Sequence, residues 1–158
     1  MKQNAKIIVI ADNIRSIYNI GSIFRTCDAI GAEMLYLVGA CSTPINQPTR
    51  LAKTALGAHN SVLWQYSPTI SPVINKLKKE KYEVIALEID KNSLDFRKWH
   101  PKSKVAIILG NEIEGIKQKT LNKCDKIVHL PMNKVKESLN VSVSFGAIGY
   151  YILSKTAS

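Results

Sequence analysis

The segment Ile127–Leu153 reads IVHLPMNKVKESLNVSVSFGAIGYYIL and decides how we expect the chain to fold. An apolar run at its start predicts a strand, a polar loop follows over residues 133–140, and the last 15 residues carry no charge. Pro131 ends the strand because proline cannot donate a hydrogen bond to a sheet. The uncharged stretch is too short to span a membrane, which needs about 20 residues. We therefore expect an apolar helix that is buried in the core or in a subunit interface.

A strand remains the alternative for the first part of the uncharged stretch. Val141–Phe145 alternates apolar and polar residues with a period of two, which is typical of a half-buried strand. The small residues Gly146 and Gly149 instead favour a closely packed helix. Ser138 or Asn140 could accept hydrogen bonds from the free N–H groups at the start of that helix. The polar loop before the helix is then expected to direct its side chains at a ligand.

Apolar runs elsewhere in the chain predict further strands, separated by helical patterns. The predicted strands are Ile7–Ile10, Met34–Val38, Val62–Trp64, Tyr82–Leu87, Val105–Leu109 and Lys126–Leu130. Helices are predicted after Asn19 as far as Ile30, over Thr69–Lys81 and over Ile116–Lys123, with one or two helical turns in Arg50–His59. Asn19 is expected to be a helix N-cap, and residues 88–104 are expected to be irregular. Alternating strands and helices indicate an α/β fold around a mostly parallel sheet, as a single domain over residues 1–158.

The composition limits the class of protein. The 158 residues include 22 Lys and Arg against 12 Asp and Glu, a net charge of +10, which favours a polyanionic partner such as nucleic acid. The start of the chain has only a short apolar run, so we expect no secretory or transit signal and a cytoplasmic location. Cys27, Cys41 and Cys124 are far apart and lack metal-ligand spacing, so we expect small apolar fillers rather than disulfides or a zinc site.

The loops at the carboxyl ends of the predicted strands are where a parallel sheet of this type binds its ligands. They are residues 12–19, 87–90, 110–115 and 131–140. No G-x-G-x-x-G motif follows the first strand, which excludes the dinucleotide fingerprint. Gly110–Gly115 has the spacing of a phosphate-binding loop, but Ile116 stands where that loop needs lysine and Glu112 would repel phosphates. An acidic loop bounded by glycines suits a cofactor that is cationic or rich in hydrogen-bond donors.

Three motifs stand in order along the chain. They are Asn19–Thr26 (NIGSIFRT), Leu109–Gly115 (LGNEIEG), and Leu130–Met132 (LPM) with Ser138–Ser142 (SLNVS). Together they resemble the motifs of the SpoU/TrmH-type RNA 2′-O-ribose methyltransferases of the SPOUT superfamily. The resemblance implies an α/β domain with a deep trefoil knot, a homodimer, S-adenosylmethionine as the methyl donor, and tRNA or rRNA as the substrate. We expect no metal to be required and no membrane to take part, and we do not expect this chain to have the family's additional N-terminal RNA-binding domain.

The resemblance also assigns roles to single residues. Arg25 matches the catalytic arginine of the family, and the polar residues around it are matched by Asn19, Glu112, Ser138 and Asn140. The residues that would hold the cofactor are Leu87, Gly110, Leu130 and Leu139 through their backbone, with Ser138 and Met132 beside them. The family's arginine has been proposed as a general base, but a guanidinium is effectively always protonated in proteins. We therefore expect Arg25 to hold an RNA phosphate and to make the ribose 2′-hydroxyl more acidic, with proton loss to that phosphate or to water.

Each assignment has a simpler alternative. Asn19 and Asn140 could simply be helix caps without a role in catalysis, Arg25 could be a surface residue of a helix, and Glu112 could be solvated. His129 lies in a predicted strand and is interpreted as structural, and Trp64 and Trp99 as core or interface residues. Lys134 and Lys136 are predicted RNA contacts, ahead of Lys53, Thr54 and His59. Two other functions stay open: a catalytically silent RNA-binding module and a SPOUT enzyme that methylates a base.

Overall fold

The structure, a computed structural model, describes residues 4–133 and 138–157. Its strands are β1 (Lys6–Asp12), β2 (Met34–Val38), β3 (Trp64–Ser67), β4 (Glu83–Leu87), β5 (Leu94–Asp95), β6 (Lys104–Leu109) and β7 (Lys126–His129). Its helices are α1 (Ile17–Ile30), α2 (Pro48–Ala55), α3 (Ala58–Ser61), α4 (Ser71–Lys79), α5 (Gln118–Leu121) and α6 (Val141–Thr156), with a 3-10 turn at Phe96–Lys98. Within the described residues, these strands form one sheet in the order β3-β2-β1-β6-β4-β7-β5. Every neighbouring pair is parallel, which confirms the predicted α/β class.

Helices cover both faces of the sheet and bury a separate apolar layer on each. Ile7 and Val9 of β1 face the layer that contains α1, α2 and α6, whereas Ile8 and Ile10 face the layer that contains α4 and α5. The central strand β6 is therefore buried on both faces from Val105 to Leu109, each of which has no exposed surface. Strands covered on both faces read as continuous apolar runs, which is why β1 and β6 were recognisable in the sequence.

The uncharged stretch near the C-terminus is a helix, so the strand alternative for Val141–Phe145 is wrong. Asn140 caps this helix, α6, by accepting hydrogen bonds from the backbone N–H groups of Ser142 and Val143. The helix buries Phe145, Ile148 and Ile152 completely, in the layer shared with α1. Its other side is open, because Val143 is 56% exposed and Tyr150 57% exposed. The predicted burial therefore holds for one face of the helix.

The structure contradicts three sequence predictions: the cap of α1, the start of β3 and the irregular structure of residues 88–104. Asn19 is not an N-cap; Ser16 caps α1 and its hydroxyl accepts from the backbone N–H of Asn19 at 3.2 Å. β3 begins at Trp64 rather than Val62, because the N–H of Val62 still bonds to Ala58 at the end of α3. Residues 88–104 are not wholly irregular, since β5 pairs with β7 at the sheet edge.

The remaining sequence predictions about the core have simple outcomes. Cys27 is buried, as expected of an apolar filler, and Trp99 is completely buried, whereas Cys124 is only partly buried. Cys41 is buried but is not only a filler, because its thiol accepts the N–H of Ile14 at 3.3 Å and donates to the oxygen of Ala11 at 3.2 Å. Within residues 4–133 and 138–157, no helix is long and apolar enough to cross a membrane. The trefoil knot stays a prediction.

Candidate active site

A cavity of about 430 Å³ lies at the carboxyl edge of the sheet, where ligands were expected. Its volume is within the range of about 300–1,000 Å³ that small-molecule sites usually have. The predicted site residues that line it are Asn19, Leu87, Gly110, Glu112, Leu130, Met132, Ser138, Leu139 and Asn140. Loops that are far apart in the sequence thus meet here because β1, β4, β6 and β7 run parallel and end at the same edge.

A chain of three polar side chains joins the three sequence motifs across this cavity. The Nδ2 atom of Asn140 donates to Oδ1 of Asn19 at 3.1 Å. The Nδ2 atom of Asn19 in turn donates to Oε1 of Glu112, also at 3.1 Å. We call Asn140, Asn19 and Glu112 the amide–carboxylate chain. Asn19 is only 8% exposed, so these are the contacts that satisfy a buried amide.

Glu112 anchors this chain to the start of α1. Its carboxylate accepts the backbone N–H of Ser16 at 3.0 Å and that of Arg15 at 3.3 Å. Partial burial would raise the pKa of Glu112, but the hydrogen bonds from Asn19 and from the backbone outweigh burial and lower it below its ordinary value. A negative charge is also favoured beside the free N–H groups at a helix start. Glu112 is therefore an anion at neutral pH and a poor proton acceptor.

The hydrogen bonds fix the orientation of both asparagine amides. A carboxylate only accepts, so the nitrogen of Asn19 must face Glu112 and its oxygen must face Asn140. The oxygen of Asn140 is taken by the N–H groups at the start of α6, so its nitrogen must face Asn19. Each amide nitrogen has a second proton that these bonds do not use. Both asparagines can therefore donate one further hydrogen bond at the cavity.

The second motif forms a tight loop that shapes the cavity floor. The side-chain oxygen of Asn111 accepts the backbone N–H groups of Ile113 and Glu114 at 2.9 Å each, which closes the turn. Gly115 has a φ of +68°, and a Cβ atom there would lie 2.5 Å from Oε2 of Glu88. The same Glu88 oxygen accepts the N–H of Ile116 at 3.0 Å and so ties the end of β4 to this loop.

Arg25 does not line the cavity. It is exposed on α1, six residues after Asn19, which corresponds to about 9 Å along the helix and about 120° around it. It lines a separate hollow with Asp28, Leu56, Gly57 and Ser61 among its neighbours. The structure therefore brings together all the predicted site residues except Arg25. The predicted RNA contacts Lys134 and Lys136 lie outside the described residues.

Glu88 and His129 are among the cavity-lining residues that the sequence alone does not single out. The sequence places Glu88 only in a predicted loop and favours a structural role for His129, yet both line the cavity. Leu87 of β4 pairs with Val128 of β7, so the residues that follow them, Glu88 and His129, lie side by side at the carboxyl ends of these two strands. The pairing of β4 with β7 is the signal that could have identified them, and it is a long-range feature.

Comparisons with known proteins place this chain among RNA-modifying enzymes. The model of the SpoU rRNA Methylase family matches residues 6–150. A tRNA (guanosine(18)-2′-O)-methyltransferase of Aquifex aeolicus is 30% identical over 152 residues, which are 94% of this chain and 69% of that protein. A putative TrmH family tRNA/rRNA methyltransferase of Staphylococcus haemolyticus is 30% identical over 98% of this chain, which spans only 61% of that relative. In fold, the chain is similar to the SpoU methyltransferase AviRb of Streptomyces viridochromogenes, which was crystallised with the cofactor AdoMet. The TM-score is 0.85 at 22% sequence identity, and the match covers 99% of this chain and 60% of AviRb.

Proposed function

This chain belongs to the SpoU rRNA methylase family, and on that premise we propose that it transfers a methyl group from S-adenosylmethionine to a ribose 2′-hydroxyl in tRNA or rRNA. The observation that carries the proposal is the amide–carboxylate chain, which joins all three motifs at one cavity. Asn140, Asn19 and Glu112 are separated by up to 121 positions in the sequence, yet their side chains are in direct contact.

The cavity has the chemistry to hold S-adenosylmethionine. That cofactor carries a sulfonium and an ammonium, and these positive charges suit the carboxylate of Glu112 at the cavity. We propose that backbone groups at Leu87, Gly110, Leu130 and Leu139 hold its adenosine part, with Met132 as an apolar wall and Ser138 at the rim. When bound, the cofactor supplies an electrophilic methyl group on its sulfur.

The residues of the chain then act by positioning and electrostatics. The unused N–H groups of Asn19 and Asn140 can hold an acceptor oxygen of the ribose or of an adjacent phosphate. Glu112 is a positioning residue in this proposal, because its hydrogen bonds keep it ionised and keep the amide of Asn19 in one orientation. Proton loss from the 2′-hydroxyl goes to a phosphate or to water, and no metal takes part.

We propose further that the active form is a homodimer in which Arg25 reaches the cavity of the partner subunit. Arg25 faces away from its own cavity, and it shares the outer side of α1 with Tyr18, which is 72% exposed. Val143 and Tyr150 are exposed on the open face of α6, the helix that packs beside α1. Exposed apolar side chains on two adjacent helices are what an interface between subunits needs. Arg25 would then hold an RNA phosphate next to the reacting hydroxyl.

Capture of RNA is assigned to lysines outside the cavity. Lys76, Lys78 and Lys79 on α4 and Lys117 and Lys119 at α5 are exposed, and both helices lie on the same face of the sheet. Phosphate contacts from such residues add affinity without reading sequence. An RNA substrate of this kind is consistent with the cytoplasmic location expected above.

Methyl transfer with a labelled donor tests this proposal. The purified protein is incubated with S-adenosylmethionine that carries a labelled methyl group, together with total tRNA or rRNA from a strain that lacks the gene. We expect label in one of the two RNA pools, and we expect Arg25→Lys and Arg25→Ala to abolish transfer while leaving cofactor affinity unchanged. Substantial transfer by Arg25→Lys would contradict the assigned role of Arg25. Cofactor binding without transfer to either pool would instead support a silent RNA-binding module.

A further inference from the structure

The side chain of Ser93 has all of its hydrogen-bonding capacity committed. Its Oγ atom lies 2.6 Å from the backbone oxygen of Asp90, and a carbonyl carries no proton, so the hydroxyl must donate there. The backbone N–H of Asp90 donates to one lone pair of the same Oγ at 3.2 Å. The Nδ1 atom of His129 lies 2.8 Å from Oγ. Because the hydroxyl proton is already used, His129 must donate its Nδ1–H to the remaining lone pair.

This arrangement fixes the tautomer of His129. In the neutral ring, which has a single N–H, that proton is on Nδ1, so Nε2 carries a lone pair and can only accept. Within the described residues, no hydrogen bond to Nε2 is found, and the ring lines the cavity. Nδ1 is occupied by Ser93, so Nε2 is the ring nitrogen left for a ligand.

The neighbouring strand end offers a second acceptor at the same level. The backbone N–H of Glu88 donates to the oxygen of Val128 at 3.0 Å, which sets Glu88 beside His129. Among the described residues, the carboxylate oxygens of Glu88 accept only the backbone N–H groups of Ile89 and Ile116, at 3.0 Å each, and an ionised carboxylate has lone pairs to spare. This end of the cavity therefore presents acceptors and selects a ligand group that donates.

We propose that His129 is a cofactor-binding residue whose Nε2 accepts a hydrogen bond from a hydroxyl or amino group of the bound nucleoside, and that Ser93 is the positioning residue that holds it in the required tautomer. The inference rests on the proposed function, because it takes S-adenosylmethionine as the ligand. It adds a side-chain contact to a site that otherwise uses mainly backbone groups.

Nitrogen-15 NMR of the histidine rings tests the tautomer directly. The chain has only three histidines, His59, His100 and His129, so selective labelling gives few signals, and His129→Asn identifies the one of interest. At an alkaline pH, where imidazoles are neutral, we expect Nδ1 of His129 to be protonated and Nε2 to give the signal of an unprotonated ring nitrogen. Addition of S-adenosylhomocysteine, the demethylated product form of the cofactor, should move that Nε2 signal toward the hydrogen-bonded range. A proton on Nε2, or binding without any change at Nε2, would overturn the inference.

Calorimetry with matched variants tests the energetic contribution. The amide of His129→Gln can place an acceptor near the position of Nε2, whereas His129→Asn reaches only the position of Nδ1. We expect His129→Asn to bind S-adenosylhomocysteine about three- to tenfold more weakly, as loss of one hydrogen bond does, and His129→Gln to retain part of the affinity. Ser93→Ala should weaken binding through His129 and Ser93→Thr should restore it, whereas neither change should matter in a His129→Asn background.

The outcomes separate this inference from the proposed function. If S-adenosylhomocysteine does not bind the unmodified protein, both are wrong. If it binds equally well to all the His129 and Ser93 variants, the proposed function stands and the role of His129 is wrong. Analogues that lack the ribose hydroxyls or carry a dimethylated adenine amine show which donor is bound, because the matching analogue should lose its dependence on His129.

Discussion

Replacing Asn19 with Asp tests the amide–carboxylate chain most severely, because it keeps the size of the side chain and changes only its chemistry. The variant loses the N–H that bonds to Glu112 at 3.1 Å and sets a second carboxylate against the first. Two unit charges about 4 Å apart repel by about 4 kcal/mol at an effective dielectric constant of about 20. Glu112 is exposed to solvent, which screens the repulsion, so we expect a loss of about 1–3 kcal/mol in the free energy of unfolding at neutral pH.

The pH dependence of that loss distinguishes repulsion from simple damage to the fold. In Asn19→Asp, the carboxyl groups at positions 19 and 112 repel each other when both are ionised. One of them therefore binds a proton more readily in the folded state than in the unfolded state, which means that folding raises its pKa. The destabilisation should therefore be present at neutral pH and disappear as the pH falls below about 4, the range of unperturbed carboxyl groups, where a protonated carboxyl can donate as the amide did. Urea unfolding at several pH values measures the difference from the unmodified protein.

The second variant in this cycle is Glu112→Gln. When it is combined with Asn19→Asp, the new amide at position 112 can donate to the new carboxylate at position 19, so the hydrogen bond returns with its direction reversed. We expect the double variant to be more stable at neutral pH than Asn19→Asp alone. An equal destabilisation of Asn19→Asp at neutral and acidic pH, without recovery in the double variant, would refute the assigned contact.

Three further predictions concern the loop, the helix start and the proposed interface. Gly115→Ala should weaken binding of S-adenosylhomocysteine and should destabilise the fold by more than the control Gly31→Ala. The two glycines have nearly the same φ, +68° and +69°, but of the two only Gly115 would place its new Cβ atom against a side chain. Equal losses of stability in thermal unfolding would contradict this prediction. Folding lowers the pKa of Glu112, so the ionised carboxylate stabilises the fold above the ordinary glutamate pKa, and this stabilisation is lost as the pH falls through the lower pKa of the folded state. Glu112→Gln should therefore flatten the acid side of the profile of stability against pH, measured by urea unfolding. An unchanged profile would contradict this prediction. The double variant Tyr150→Ser, Val143→Ser should shift the protein toward monomer in sedimentation and reduce methyl transfer without altering the circular dichroism. By contrast, Phe145→Ala on the buried face of α6 should lower the free energy of unfolding by about 3–5 kcal/mol. An unchanged sedimentation profile of the double variant would contradict the proposed interface.

The sequence predicted those parts of the site that depend on local pattern. The buried runs of β1 and β6 and the cap of α6 at Asn140 are recognisable in the sequence because burial on both faces and helix capping leave a mark within a few residues. Asn140 is both the cap that its position suggested and a member of the amide–carboxylate chain, so the two interpretations of that residue are compatible.

The features that the sequence did not predict depend on contacts between distant parts of the chain. Glu88 and His129 enter the site only because β4 pairs with β7, and β5 forms only because that pairing leaves an edge for Leu94 and Asp95. The residue type of Asn19 favours an N-cap, and only the family resemblance predicts it as a site residue, because its side chain bonds to residues more than 90 positions away. The place where Arg25 is proposed to act depends on a second subunit, which no pattern within one chain specifies.

The position of the transferred methyl group tests the central claim most directly. RNA from the labelled transfer reaction is digested to nucleosides, and mass spectrometry shows whether the label lies on the ribose or on the base. Ribose transfer at one nucleotide, absent with Arg25→Ala and strongly reduced with Asn19→Asp, is the predicted result. Label on a base, or label on the ribose that persists in both variants, would contradict the account.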